Sequence, residues 1–218
     1  MTTWLVDAVL FDLDGTLIDS SGSVQRSWRT FADHIGRPWP EVEPHIHGVP
    51  VGQVLALLEP DMPADQVAQA TEFMIATEST DTDGVVAQPG AIDALNLLAP
   101  DRVAIVTSGT ERLASARIAA AGLPRPAVVI TADDVMVGKP DPAPFLAGAQ
   151  ALGFAPERCL VVEDAPAGVI AAKAAGCPVV GVLTTHDWLD APSVTSLDRI
   201  DFRRVDGGLQ VGIPDRTG

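Results

Sequence analysis

Five short apolar runs, spaced along most of the chain and separated by helical patterns, limit what this sequence can fold into. They are Leu5–Phe11 (interrupted by Asp7), Val103–Thr107, Ala127–Thr131, Cys159–Glu163 and Val179–Leu183. Each has strand length, and each runs into a polar or glycine-containing stretch. Between the later runs lie Gly90–Leu98, Glu111–Ala121 before Gly122, Pro142–Leu152 after an Asp141 N-cap, and Ala165–Ala175 before Gly176. Those segments carry helix start and stop signals: a capping carboxylate, proline at the first helical position, glycine past the end. Strands alternating with helices predict an α/β fold, a doubly wound, Rossmann-like parallel sheet.

The alternation is broken once. From Ile18 to Ala87 no strand pattern occurs, and helices are expected at Ser23–Ile35, near Pro40–His47, at Pro50–Leu58 and at Asp65–Thr77. This reads as an all-helical domain, 18–87, inserted after the first strand of a core made of 1–17 and 88–218. Ser20–Gly22 and Thr80–Gly84 are the expected hinges. At the other end, Phe202–Ile213 reads as two strands about a turn at Gly207–Gly208.

The bulk properties exclude several classes. The net charge of −15 would repel a nucleic-acid backbone or an anionic membrane, so neither is an expected partner. No apolar run approaches the roughly 20 residues of a membrane span. The opening MTTWLVDAVLF has neither a basic segment nor a cleavage site, so a cytoplasmic protein is expected. Cys159 and Cys177 lie in apolar stretches and read as buried, reduced thiols. An anionic substrate would need concentrated positive charge, or a metal, to bind at all.

Open α/β sheets bind ligands beyond the carboxyl ends of their strands. The first such end carries Asp12 and Asp14, two apart and so on one side of extended chain. Paired carboxylates repel, which a divalent cation relieves; solvated loop aspartates are the plainer explanation. The second carries Thr107, Ser108 and Gly109, a phosphate cradle or a helix cap. Lys139 follows the third, and it is one of only two lysines against twelve arginines. Glu163 and Asp164 end the fourth; they are either site acids or acids favoured at a helix start. Each signal is weak alone. Together they place acids, hydroxyls and a lysine at one end of four strands.

With those residues in view, the sequence resembles the haloacid dehalogenase superfamily, in its phosphatase branch with a helical cap. FDLDGTLIDS, VTSG, GKPDP and VVEDAPAGVIAAKAAG resemble its four motifs, and the resemblance spans essentially the whole chain. HGVP and LTTH point, less specifically, to the sugar phosphatases and glycerol-3-phosphate phosphatases. The resemblance implies Mg2+ held by the Asp12 side chain, the Asp14 backbone carbonyl and Asp164, with Glu163 outside the ligand set or as an alternate. It implies Asp12 as nucleophile, Asp14 as acid and base, and Thr107, Ser108, Gly109 and Lys139 around the phosphoryl group. It also implies a small phosphate ester as substrate, a cap that closes over it, and a monomer or weak dimer. In the cap, His47, Gly48 and Gln53 are the candidate substrate contacts.

Three rivals share the fold. A dehalogenase would not need Asp14. A sugar phosphomutase uses both aspartates but must hold a second phosphate in the cap, and between Arg37 and Arg102 there is no lysine or arginine. Arg26, Arg29 and Arg37 could still point inward. A non-catalytic binding protein would have no need of Asp12, Asp14, Lys139 and Asp164 together.

Overall fold

A computed structural model describes residues 1–46 and 51–214. The chain divides into two compact units, Met1–Asp19 with Val86–Gly218, and Ser20–Val85.

In chain order, β1 (Thr2–Val6) is followed by β2 (Ala8–Phe11) and a two-residue strand β3 (Ile18–Asp19). The helical stretch contributes α1 (Ser21–His34), α2 (Trp39–Val42), α3 (Val51–Leu58) and α4 (Ala64–Thr80). The alternation resumes with β4 (Val86–Ala87), α5 (Ala91–Leu97), β5 (Val103–Val106), α6 (Glu111–Ala120), β6 (Val128–Ile130) and α7 (Ala143–Leu152). Then come β7 (Cys159–Glu163), α8 (Pro166–Ala174), β8 (Val179–Val182), β9 (Ser193–Val194), β10 (Asp201–Val205) and β11 (Gly208–Ile213).

Six strands form the central sheet in the order β6-β5-β2-β7-β8-β9, with every neighbouring pair parallel. A parallel sheet is covered on both faces, so its strands read as continuous apolar runs; every residue of β2, β5, β7 and β8 is buried. Leu10, Val106, Phe145, Ala149, Val161 and Val169 form the centre of the core on one side. From β2 the chain moves outward to β5 and β6, then returns to β7 on the opposite flank. The carboxyl end of β2 is therefore the topological switch point, where such sheets open a crevice.

The expected first strand, Leu5–Phe11, is two strands. Asp7 breaks it: its amide donates to Arg158 O at 2.7 Å, and its carboxylate accepts two bonds from the Arg158 guanidinium at 2.9 and 3.0 Å. That pairing holds the Asp7 carboxyl below the ordinary aspartate range. Before the break, β1 joins a separate antiparallel sheet with β11 and β10. Phe11 and Phe202 meet edge to face, 5.9 Å apart, where the two sheets pack. The sixth parallel strand, β9, is only two residues long and left no sequence signal.

The helical unit has its own core of Trp28, Phe31, Val42, Val54, Leu55 and Met74. Trp28 lies in that core and Trp39 packs against it. The stretch read as a hinge at Thr80–Gly84, which ends one residue before the division between the units, is tied to α1. Arg26 donates to both carboxylate oxygens of Asp81, at 2.9 and 2.7 Å, and to Asp83 O at 2.6 Å. Ser23 donates to Asp81 O. Likewise Ser21 and Gly22 open α1 rather than standing apart from it. The insertion is not wholly strandless either: β3 and β4 pair antiparallel at its two ends.

Candidate active site

The loop after β2 is built around Gly15. Its φ of +87° lies in the left-handed region, and a Cβ there would stand 2.1 Å from Asp164 Oδ2. Glycine is required on both counts. The turn closes through Gly15 N to Ile18 O at 2.8 Å, and it brings Thr16 beneath Asp164. Thr16 donates to Asp164 Oδ1 at 3.1 Å, while Thr185, from the loop after β8, donates to Oδ2. Thr184 donates to Gly15 O. Both Asp164 oxygens are thus oriented by hydroxyls, and one loop fastens the two acidic strand ends together.

Lys139 reaches the same point from the segment before α7. Its Nζ donates to Asp12 Oδ1 at 2.6 Å, Glu163 Oε1 at 2.9 Å and Val106 O at 2.9 Å. The ammonium lies 4.9 Å from the centre of the Phe145 ring, and its side chain is 5% exposed. All three donors are used, which fixes the head of a flexible side chain. Glu163 is held at its other oxygen as well, accepting from Ala165 N at 2.7 Å. A Cβ on Gly168 would fall 1.7 Å from Glu163 Oε1, so this carboxylate fits only because α8 carries glycine there. Of the two adjacent acids, Asp164 faces the Gly15 loop and Glu163 faces Lys139.

Two of these three buried carboxylates bind Lys139, and the third, Asp164, is held by hydroxyls. Burial, reinforced by Glu163 and Asp164, raises the Asp12 carboxyl well above the ordinary range against the pull of Lys139. Burial and Glu163 raise Asp164 to about 7, opposed by the Thr185 and Thr16 hydrogen bonds. Burial disfavours the Lys139 cation, but Asp12 and Glu163 hold its pKa above the ordinary lysine value. With all groups ionised the cluster carries two surplus negative charges, which one divalent cation would neutralise. Among the described residues, no three His, Cys, Asp or Glu side chains form a ready cage for a metal. A magnesium site does not need one, because it takes one or two carboxylates together with waters and substrate phosphate. The oxygen donors of Asp12 and Asp164 fit that ion.

At the end of β5, Thr107 is buried and its Oγ1 accepts from Gly109 N at 3.1 Å. Gly109, expected to offer its amide to phosphate, directs it to Thr107 instead. The Thr107 hydroxyl keeps its own proton to donate. Ser108 is exposed beside it. Thr110 caps α6, accepting from Leu113 N, so the hydroxyl-rich turn serves both the cradle and the helix start.

One buried residue was missed from the sequence. Arg117, on α6, donates from Nη1 to Asp14 Oδ1 at 2.9 Å, with its side chain 4% exposed. Alanine- and arginine-rich composition concealed it among solvent-facing arginines. Of the expected cap contacts, Gln53 is exposed, and His47 and Gly48 lie outside the described residues.

The four strand-end motifs thus converge within the core unit. The family of haloacid dehalogenase-like hydrolases matches residues 6–176 of this chain. This chain belongs to that family. It is 44% identical over 196 residues to hexitol phosphatase A of Escherichia coli (strain K12), covering 88% of each protein. It is 36% identical over 195 residues to glycerol-1-phosphate phosphohydrolase 2 of Saccharomyces cerevisiae, covering 84% of this chain and 76% of the relative. Among solved structures, a hydrolase from Pseudomonas syringae superposes with a TM-score of 0.73 at 28% identity, covering 86% of this chain and 94% of the other. The chain is accordingly a phosphatase of the haloacid dehalogenase-like family. No helix among the described residues is long and apolar enough to cross a membrane.

Proposed function

We propose that this enzyme hydrolyses sugar or polyol monophosphates through a phosphorylated Asp12, with Mg2+ as cofactor. The reading rests on the buried constellation at the switch point: Asp12 and Glu163 on Lys139, with Asp164 held by two threonines. A phosphoryl transfer asks for positioning and charge compensation more than for covalent chemistry.

An Asp12 carboxylate oxygen attacks phosphorus and the ester P–O bond breaks. Asp14 gives its proton to the departing alkoxide, leaving an aspartyl phosphate. Asp14, now ionised, takes a proton from water as that water attacks phosphorus, which restores Asp12 and releases inorganic phosphate. Lys139, Thr107 and Ser108 supply positive charge and hydrogen-bond donors to the transferring oxygens. Held by the Asp12 and Asp164 carboxylates and the Asp14 carbonyl, Mg2+ would offset charge on the phosphoryl group. Glu163 keeps Lys139 in place, accepting from Nζ at one oxygen and from the Ala165 amide at the other, and faces away from the Gly15 loop that holds Asp164.

We assign substrate selection to the helical insertion, which also bears on the phosphomutase alternative. Its arginines are committed inside their own unit. Arg26 binds Asp81, Arg37 binds Glu59, Glu41 and Leu58 O, and Arg29 lies over Trp39 at 4.8 Å. Two of the three are thus hydrogen-bonded within the insertion, which favours a substrate whose remainder is neutral and hydroxylated over one that brings a second phosphate. The relatives named for hexitol and glycerol phosphates agree with that class. Two buried free thiols suit a reducing, cytoplasmic setting.

Phosphate release from glycerol, hexitol, hexose and pentose monophosphates, with Mg2+ or EDTA, tests the proposal. Turnover should require Mg2+ and vanish in Asp12→Asn, and acid-quenched wild type should carry a phosphoryl group on Asp12. Much faster turnover of bisphosphates than of the matching monophosphates would overturn it in favour of the mutase.

A further inference from the structure

The inward face of α6 is Leu113, Ala114, Arg117 and Ile118. Three of these are the aliphatic residues expected of a helix packed on a sheet. The fourth carries a permanent charge into the same face. A guanidinium is buried in this way only where an anion meets it, because desolvation alone would cost several kcal/mol. The anion here is Asp14, 103 positions earlier in the chain. Asp14 itself is 29% exposed, so it could have been left to water.

Guanidinium is planar, and its N–H groups point in fixed directions. A loop carboxylate bonded to such a group on a rigid helix keeps its rotamer, which an unpartnered aspartate on a loop does not. We propose that Arg117 is a positioning residue: it holds the Asp14 carboxylate in the orientation that transfers a proton to the leaving oxygen. The enzyme thereby favours esters of alcohols, whose leaving groups need that proton, over aryl esters, whose leaving groups do not. The inference rests on Asp14 being the acid and base, as proposed above.

The test compares glycerol phosphate with 4-nitrophenyl phosphate for wild type, Arg117→Met, Arg117→Lys, Asp14→Asn and the Arg117→Met/Asp14→Asn double variant, all with Mg2+. Positioned proton transfer contributes about 10²- to 10⁴-fold, so Arg117→Met should lower kcat on glycerol phosphate by about 30-fold or more with KM nearly unchanged. The pre-steady-state burst of nitrophenol should fall by less than about 3-fold, because no acid is needed for that bond to break. In the Asp14→Asn background, Arg117→Met should add less than about 2-fold. Arg117→Lys keeps the charge without the planar fork and should give an intermediate ratio of alkyl to aryl rates. If Arg117→Met melts early by circular dichroism, Arg117→Lys carries the comparison alone. Equal losses on both esters, or a further loss in the double variant, would mean that Arg117 serves the phosphate or the fold, and would overturn the inference. If Asp14→Asn is inactive while Arg117→Met is normal, the inference alone falls. If Asp14→Asn still turns over glycerol phosphate at the wild-type rate, the underlying reading of Asp14 falls first.

Discussion

A metal-free form of this enzyme should lose stability as pH rises from 5 to 7, the reverse of what surface ion pairs produce. The cause is Asp164, whose carboxyl is raised from 3.8 to about 7 in the folded protein. Between those values the unfolded chain has released this proton and the folded chain has kept it, so stability falls with rising pH. Across two pH units, at about 1.36 kcal/mol each, the fall is at most about 3 kcal/mol. Asp12, also raised by burial, acts in the same direction. Asp7, Asp81 and Asp134 are lowered by their partners and lose their contribution only below about pH 4, outside the window. Mg2+ favours the ionised carboxylates and should flatten the trend, so its stabilising effect grows with pH. Urea unfolding at pH 5, 6 and 7, in EDTA and in excess Mg2+, reads this directly. Stability that is level or rising with pH in EDTA, or a Mg2+ increment equal at all three values, would refute the reasoning.

Three further outcomes are expected. Gly168→Ala places a methyl group inside the Glu163 carboxylate and should displace it from Lys139; we expect a loss of about 1–3 kcal/mol in thermal unfolding and at least about 10-fold in kcat. Thr185→Val removes one hydroxyl from Asp164 and should weaken Mg2+ binding by about 10-fold or more in calorimetry, with little change in melting temperature of the metal-free protein. Phe145→Ala, in a fully buried position beneath Lys139, should cost about 3–5 kcal/mol in urea unfolding, and a cost under about 1 kcal/mol would contradict the packing described.

The parallel sheet was legible because its central strands are buried on both faces and so spell themselves as short, largely apolar runs. Cys159–Glu163 was read to the residue, whereas β9 has only Ser193 and Val194 to announce it. Leu5–Phe11 misled because Asp7 looks like one tolerated interruption in an apolar run. The distant Arg158 and Arg102 hold Asp7 at the point where the chain changes sheets. The strand-end acids could be found by their spacing, but their division of labour could not. Glu163 and Asp164 are neighbours of like chemistry, and it is Gly168 on one side and Gly15 on the other that send them to different partners. Arg117 was hidden for a related reason. On a helix rich in alanine, nothing in the periodicity separates an arginine aimed at water from one aimed at a carboxylate. The LTTH segment had suggested only a subgroup; in the folded chain its threonines tie Gly15 and Asp164.

The two-residue ladder of β3 and β4, Ile18 against Ala87 and Asp19 against Val86, means that the inserted helices leave and rejoin the core through adjacent strands about 5 Å apart. To the core, the whole insertion is equivalent to a hairpin loop of arbitrary length. A donor segment of any size whose ends can meet at that spacing could be exchanged there without moving Asp12 or Asp164. With substrate selection in the insertion, as proposed, trading one contiguous stretch of gene would change the substrate while the strand-end residues were inherited intact.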